Sequence, residues 1–452
     1  MTFLKPDSSA VVTTVLCLVF ATGCAHSIGF QRGLAASSDV IQAWIEMGPG
    51  PVNIARTIMR SDTCPQLIVD GVSVPMQIRS RSISGTFPVT VCELDLPPGA
   101  AQATLGGQEL PLPKKDPGRI LVIGDTGCRI KAKPGGGTQV QNCNDANSHW
   151  PFGQVAQAAA TLKPDLVVHV GDYHYREAAC PAGEPKCSGA VSGDVWDSWN
   201  QDFFTPATPL LSAAPWIFAR GNHESCDRAG AGFFKFLDPR PLASGCSDVT
   251  SPYIIQAGRV QFAVLDSSKA DISNADMGSL AVLPLNQAWL ITHRPVWVPA
   301  TGSVPALATP VNIPGTDDDG DDDDAETPLV AGSALVGVRP GLSLVIAGHR
   351  HLFRATNYKD GRPSQLIAGN GGTLLEGHPP LETIGTSVDG TQISGVSMID
   401  EFGFLLFERK TPSTWAMTVY DKNGSAKLKC QLLQAAGTTQ AAGRISVLCP
   451  SS

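Results

Sequence analysis

Five short segments of this chain follow an apolar run with side chains that bind metals or move protons. In order they are Gly124-Asp125, Gly171-Asp172-Tyr173-His174-Tyr175, Gly221-Asn222-His223-Glu224, the lone His293 after Trp289-Leu290-Ile291-Thr292, and Gly348-His349-Arg350-His351. Two cations held close together repel, and a carboxylate placed between two ligand sets offsets that repulsion. Asp172, in the middle one of the first three segments, is the natural bridge. Imidazoles suit zinc, iron and manganese, whereas calcium and magnesium sites use oxygen ligands. Two such ions about 3.5 to 4 Å apart lower the pKa of a bound water and clamp the attacking and leaving oxygens of an in-line displacement at phosphorus. The chemistry expected is attack of a metal-bound hydroxide on a phosphate ester.

The runs that precede these residues are short, apolar and rich in β-branched side chains, which reads as buried strands. In open α/β sheets, ligands sit beyond the carboxyl ends of the strands, where all five segments fall. Residues 154–162 are alanine-rich and helical in propensity, and Lys163-Pro164-Asp165 turns them into the Asp172 strand. Residues 194–204 give a second helix and 260–266 a further strand. The runs after His351, at 365–368, 402–408, 415–420 and 445–448, are expected to form a second sheet packed on the first, with helices outside. Upstream, residues 41–117 alternate in short runs broken by Gly, Pro and Asp-Gly turns, the pattern of a small antiparallel β domain that carries no chemistry. The larger domain spans 118–452 and contains a long exposed loop at 298–340.

The chain has 452 residues and a net charge of −8. Asp317 to Asp319, Asp321 to Asp324 and Glu326 account for all of that charge, so the acidity is one local tract, read as solvated. The spacing of an EF-hand calcium loop is not kept there. No basic stripe points to nucleic acid. Residues 1–24 read as an export signal: Lys5 precedes an apolar run at 10–20 too short to span a bilayer. Ala21-Thr22-Gly23-Cys24 resembles a bacterial lipoprotein box, with Ala21 where leucine is usual, so a lipid anchor at Cys24 is favoured over a plain secretory peptide. Residues 25–40 form a tether. Either way the chain is exported, to the cell envelope, the periplasm or beyond. Setting aside Cys17 and Cys24 leaves ten cysteines, whose order suggests near-neighbour pairs: Cys64 with Cys92, Cys128 with Cys143, Cys180 with Cys187, Cys226 with Cys246, and Cys430 with Cys449. Connectivity is not deducible from sequence. A zinc-thiolate site is the rival reading, but no C-x-x-C spacing occurs, and an oxidising compartment is the better inference.

In this order the five motifs resemble the calcineurin-like metallophosphoesterase superfamily, and in particular its purple acid phosphatase branch, over residues 119–373. The resemblance implies an α/β fold, a four-layer α/β/β/α metallophosphoesterase sandwich, here preceded by the small β domain. It also implies that Asp125, Tyr175 and His351 bind one metal, that Asn222, His293 and His349 bind the other, and that Asp172 bridges them. A tyrosinate at Tyr175 favours a trivalent ion on its side: Fe(III), with Fe(II), Zn(II) or Mn(II) as partner. His223 would act as general acid or transition-state donor, oriented by Glu224. His169 reads as a core histidine, and His174 either lines the pocket or faces solvent. Arg350 and Asp266 read as structural. Eukaryotic members of the branch carry further pocket histidines soon after the fourth motif. None occurs here between His293 and His349, so phosphate would be held by Arg294, Asn370 or donors around Gly371-Gly372. The expected substrate is a small phosphate ester, with monoesters favoured. A phosphodiesterase of the same fold, a metal-storage or sensor module and a non-catalytic surface binding protein are the alternatives.

Overall fold

The computed structural model describes residues 39–133, 135–269, 279–297, 339–377, 384–435 and 443–450. The export segment with Cys24, the tether up to residue 38 and positions 298–338 of the acidic loop lie outside the described residues.

Successive side chains of a strand face opposite ways, and here both ways lead into a core. In Arg119–Ile123, Ile120 and Val122 enter one apolar cluster while Leu121 and Ile123 enter another. Leu166–His169 and Trp216–Phe218 repeat the division: Leu166, Val168 and Ile217 go one way, and Val167, Trp216 and Phe218 the other. The first cluster fills the space between two sheets, where Phe262, Val264, Trp289, Ile291, Leu344 and Ile346 arrive from the opposite side. The second packs beneath the helices Phe152–Thr161 and Thr205–Leu211. On the far face of the other sheet, Ala263, Leu290 and Val345 are covered by Leu280, in helical residues 279–282, and by Trp297. The layers therefore run α/β/β/α, as expected. Burial on both faces is why the central strands read as unbroken apolar runs.

The eleven-stranded sheet has at its centre Gly403–Thr411, Arg119–Ile123, Leu166–His169, Trp216–Phe218 and Val40–Met47, in that order. The last four are parallel, with Val168 opposite Val122 and Ile217. In the eight-stranded sheet, Val260–Val264, Ala288–Ile291, Leu342–Ala347 and Gln365–Ala368 are also parallel. One sequence expectation needs correction. Only Gln365–Ala368 among the late runs joins the second sheet. Gly403–Thr411 pairs antiparallel with Arg119–Ile123, Leu406 lying opposite Leu121, and carries Thr414–Asp421, Ala426–Gln434 and Ile445–Leu448 onto the edge of the first. Their alternation specifies a buried face but not a partner, and the Arg119–Glu408 ion pair helps to hold the register.

The antiparallel strands expected between 41 and 117 are present in two groups. Val40–Met47, Asn53–Met59, Thr90–Asp95 and Gln77–Ser80 extend the large sheet, while Val72–Pro75, Gln66–Val69, Ala103–Leu105 and Gln108–Glu109 form a small sheet of their own. All five proposed disulfides are formed: Cys64–Cys92, Cys128–Cys143, Cys180–Cys187, Cys226–Cys246 and Cys430–Cys449. Such a framework belongs to an oxidising compartment, in keeping with an exported protein. Among the described residues no helix is long and apolar enough to cross a membrane.

A buried ion network ties the N-terminal strands to the rest. Glu46 Oε1 lies 2.8 Å from Arg56 Nη1, and the same guanidinium reaches Glu93 and the carbonyls of Phe236 and Asp238. Burial pushes the Glu46 carboxyl up to about 7 despite Arg56. A folded-state pKa above the unfolded value of 4.5 gives a contribution present at low pH and lost as the pH climbs towards 7. Wild type should therefore lose on the order of 3 kcal/mol across that window relative to Glu46→Gln. The gap between their unfolding midpoints, measured from pH 4.5 to 7.5, checks this. A constant gap would remove Glu46 as the titrating group.

Candidate metal centre

Each strand end delivers its side chain through an abrupt change of backbone. Asp125, Asp172 and His349 have φ of 54°, 59° and 71°, the left-handed region that costs a non-glycine residue about 1–3 kcal/mol. Three of the seven expected ligands share this strain, and it turns their side chains into the cleft where the two sheets end. The neighbouring glycines permit the close approach. A Cβ on Gly221 would lie 2.0 Å from Asp172 Oδ1, and one on Gly348 2.5 Å from Asp125 Oδ2.

The structure brings the seven expected ligands to one buried place. Tyr175 Oη lies 2.9 Å from Asp172 Oδ2, 3.2 Å from Asp125 Oδ1 and 3.0 Å from His351 Nε2. Asn222 Oδ1 lies 2.8 Å from His293 Nε2 and 2.9 Å from His349 Nδ1. Asp172 Oδ2 is also 3.1 Å from His293 Nε2, so one carboxylate oxygen touches both groups. Ligand atoms of Asp172, His293 and His349 fall within 4.8 Å of one another.

Ring orientation is set from behind. His293 Nδ1 lies 2.9 Å from the Val170 carbonyl and His351 Nδ1 2.8 Å from that of Leu374. Each carbonyl can accept a hydrogen bond from Nδ1–H, the arrangement that turns the Nε2 lone pair of a neutral ring towards a metal ion. His293 Nε2 faces Asn222 Oδ1 and Asp172 Oδ2. Asp125 and Asp172 are 0 % and 1 % exposed, and among the described residues no lysine or arginine pairs with either. Burial, then the charge of Asp172, drives the Asp125 carboxyl well above the usual range. Burial acts on Asp172 in the same sense, but His293 and His223 outweigh it and hold that carboxyl low. Two buried carboxylates beside imidazoles and an amide oxygen, with no lysine or arginine paired to them among the described residues, are a donor set fit for metal ions.

His223 lies against this group. Its ring centroid is 3.8 Å from that of Tyr175, and its Nε2 is 3.9 Å from Asp172 Oδ2. Glu224 does not orient it, contrary to expectation. Glu224 accepts backbone N–H groups of Asp172, Tyr173, His174 and Gly221 at 2.8–3.1 Å, and burial with the nearby Asp172 charge raises its carboxyl to about 8. The orienting pair is Glu177 and Arg228, which sequence reasoning missed. Glu177 Oε1 lies 2.8 Å from His223 Nδ1, and Arg228 Nη2 2.7 Å from the same nitrogen. Burial and Arg228 draw the His223 pKa below its ordinary value, against Asp172 and Glu177. The only available signal was charge in the loops five residues after Asp172 and after His223.

The remaining residues sort cleanly. His174 does not face solvent, against one of the two readings of the sequence: it is buried, its Nε2 beside Ser198 Oγ and the Gly193 carbonyl. His169 is a core histidine stacked on Tyr173 and beside Thr126 Oγ1. Arg350 pairs with Glu376, and Asp266 with Arg220. Of the expected phosphate holders, Asn370 donates its side-chain amide to the Glu401 carbonyl, and Gly371 N–H is bound to the Gly124 carbonyl. Arg294 does reach the centre, with Nη1 3.1 Å from His349 Nε2.

A sequence model of the calcineurin-like phosphoesterase family matches residues 118–353. Among solved structures, the purple acid phosphatase PPD1 from yellow lupin (Lupinus luteus) seeds superposes with a TM-score of 0.55 at 14% identity, over 86% of this chain and 73% of that one. PhoD does so with a TM-score of 0.54 at 12% identity, over 91% of this chain and 92% of that one. A search of curated proteins finds no match.

Proposed function

Because the chain belongs to the calcineurin-like phosphoesterase family, we propose that its strand-end cluster is a binuclear metal centre that hydrolyses small phosphate esters, monoesters in preference to diesters. The observation that carries this reading is the position of Asp172 Oδ2, 2.9 Å from Tyr175 Oη on one side and 3.1 Å from His293 Nε2 on the other. Asp125, Tyr175 and His351 would hold one ion, Asn222, His293 and His349 the second, with Asp172 shared. When bound, the ions would supply an activated water and neutralise charge developing at phosphorus.

The protein's own groups do the rest. Asp172 Oδ1 accepts the His223 backbone N–H at 2.9 Å, which locks the catalytic ring to the bridging carboxylate. Arg228 Nη2 lies 2.7 Å from His223 Nδ1 and 3.0 Å from Nε2 and so holds the ring in place. Glu177 stabilises a second proton on Nδ1. With that second proton in place the ring would donate from Nε2 to the leaving oxygen, as a general acid must.

Tyr175, buried between both carboxylates, suits a trivalent ion once it ionises, so Fe(III) is the proposed occupant on its side with Fe(II), Zn(II) or Mn(II) opposite. On the same reading, lipidation of Cys24 anchors the exported protein to the cell envelope. The test is purified protein assayed with p-nitrophenyl phosphate and its bis-ester, with metal analysis and a visible spectrum. About two metal ions per chain and faster turnover of the monoester are expected, with a tyrosinate-to-iron band that disappears in Tyr175→Phe. Metal-loaded protein that cleaves neither ester defeats the assignment, and a band that survives in Tyr175→Phe removes that residue from the ligand set.

A further inference from the structure

Among the described residues, Arg129, Arg294 and Arg228 stand close to the buried centre. Arg129 lies over the Tyr175 ring, 5.3 Å from its centroid, and is 4 % exposed. Arg294 sits behind His349 and is 7 % exposed. Arg228 is the accessible one, its side chain 16 % exposed, beside a Glu177 that is 19 % exposed. Its Nε donates to Glu177 Oε1 at 2.5 Å, and its Nη2 lies 2.7 and 3.0 Å from the two ring nitrogens of His223. Its Nη1 has no hydrogen-bond partner among the described residues. The guanidinium is thus fixed by two contacts at the edge where the centre meets solvent, with donors left over beside the proton donor.

We propose that Arg228 binds a terminal phosphoryl oxygen of the substrate and so selects dianionic phosphate monoesters over monoanionic diesters. The proposal rests on the phosphoesterase reading of the same centre. A monoester offers one more terminal oxygen and one more negative charge than a diester, whose corresponding oxygen carries a second organic group. A planar guanidinium, charged at every working pH, is well matched to that oxygen. The Glu177 contact keeps it from turning away, and the chain has no histidine between His293 and His349 to take its place.

The experiment uses metal-loaded full-length protein as wild type, Arg228→Met and Arg228→Lys. It measures kcat/KM for p-nitrophenyl phosphate and bis(p-nitrophenyl) phosphate, and inorganic phosphate binding by calorimetry. Arg228→Met should lower the monoester value about 30-fold, mostly through KM, and weaken phosphate binding at least about tenfold, the size expected for a lost charge-assisted hydrogen bond. The diester value should fall only about threefold, through the altered setting of His223. Arg228→Lys keeps the ion pair with Glu177 and should recover part of both losses, which separates binding from misfolding. Equal losses on the two esters, as a purely structural role would give, overturn the proposal, as does unchanged phosphate binding. If wild type cleaves neither ester, the phosphoesterase reading fails, and the phosphate titrations still decide for or against Arg228.

Discussion

Asp172→Ala should release both metal ions and reduce phosphate-ester hydrolysis by about three orders of magnitude or more, because the several kcal/mol that the metals contribute to the transition state go with the bridge. The same side chain acts twice. Its Oδ2 touches both halves of the ligand set, and its Oδ1 holds the His223 backbone. Loss of the carboxylate therefore removes the shared anion and loosens the proton donor together. The fold itself should survive. Without metal, wild type buries Asp125 and Asp172 side by side, each unpaired by lysine or arginine among the described residues. Deleting Asp172 removes the charge that raises the Asp125 carboxyl, which offsets part of what the lost contacts of Asp172 contribute. Metal analysis and melting of the metal-free proteins test both halves: the variant should bind no metal yet melt within a few degrees of metal-free wild type. Wild-type turnover in Asp172→Ala, or a full metal complement, would end the bridging assignment.

The strand-end cluster could be read from the chain because each of its motifs is local. A buried strand, a glycine and a ligand follow within a few residues, and the left-handed backbone at Asp125, Asp172 and His349 is the structural counterpart of that punctuation. The order of the ten cysteines suggested the five disulfides without fixing them, and each does join neighbouring cysteines along the chain. Partner choice was not. Gly403–Thr411 alternates as any half-buried strand does, and only the folded chain reveals Arg119–Ile123 as its neighbour. Likewise Val40–Met47 looked like part of a separate small sheet, yet from Gln42 onward it is buried and pairs beside Trp216–Phe218. Glu224 was misread because it adjoins His223 in sequence. On the tight turn Asn222–Glu224, consecutive side chains point about 120° apart, so Glu224 faces the backbone of residues 172–174 while His223 faces Tyr175. Glu177 and Arg228 come from two different loops, and no spacing rule predicts that loops will meet.

His223→Asn should lower kcat by about 10²–10⁴ while both metals stay bound, the range removed with a positioned general acid. His223 is outside the ligand set: its Nε2 is 3.9 Å from Asp172 Oδ2, beyond a bond, and its Nδ1 is occupied by Glu177 and Arg228. Asparagine removes the ring but leaves the Glu177–Arg228 ion pair and the backbone contact to Asp172 Oδ1 intact, so binding should change far less than turnover. The size of the loss should depend on the leaving group. A p-nitrophenolate departs readily without a proton, whereas an alkoxide does not, so the deficit should be smallest for p-nitrophenyl phosphate, larger for phenyl phosphate and largest for an alkyl phosphate. A donor that only bound the phosphoryl group would instead produce the same deficit for all three. A leaving-group series on wild type and His223→Asn, with metal content measured alongside, thus separates proton donation from simple electrostatic stabilisation. A flat series would leave His223 as a binding group and move the search for the acid elsewhere in the cleft.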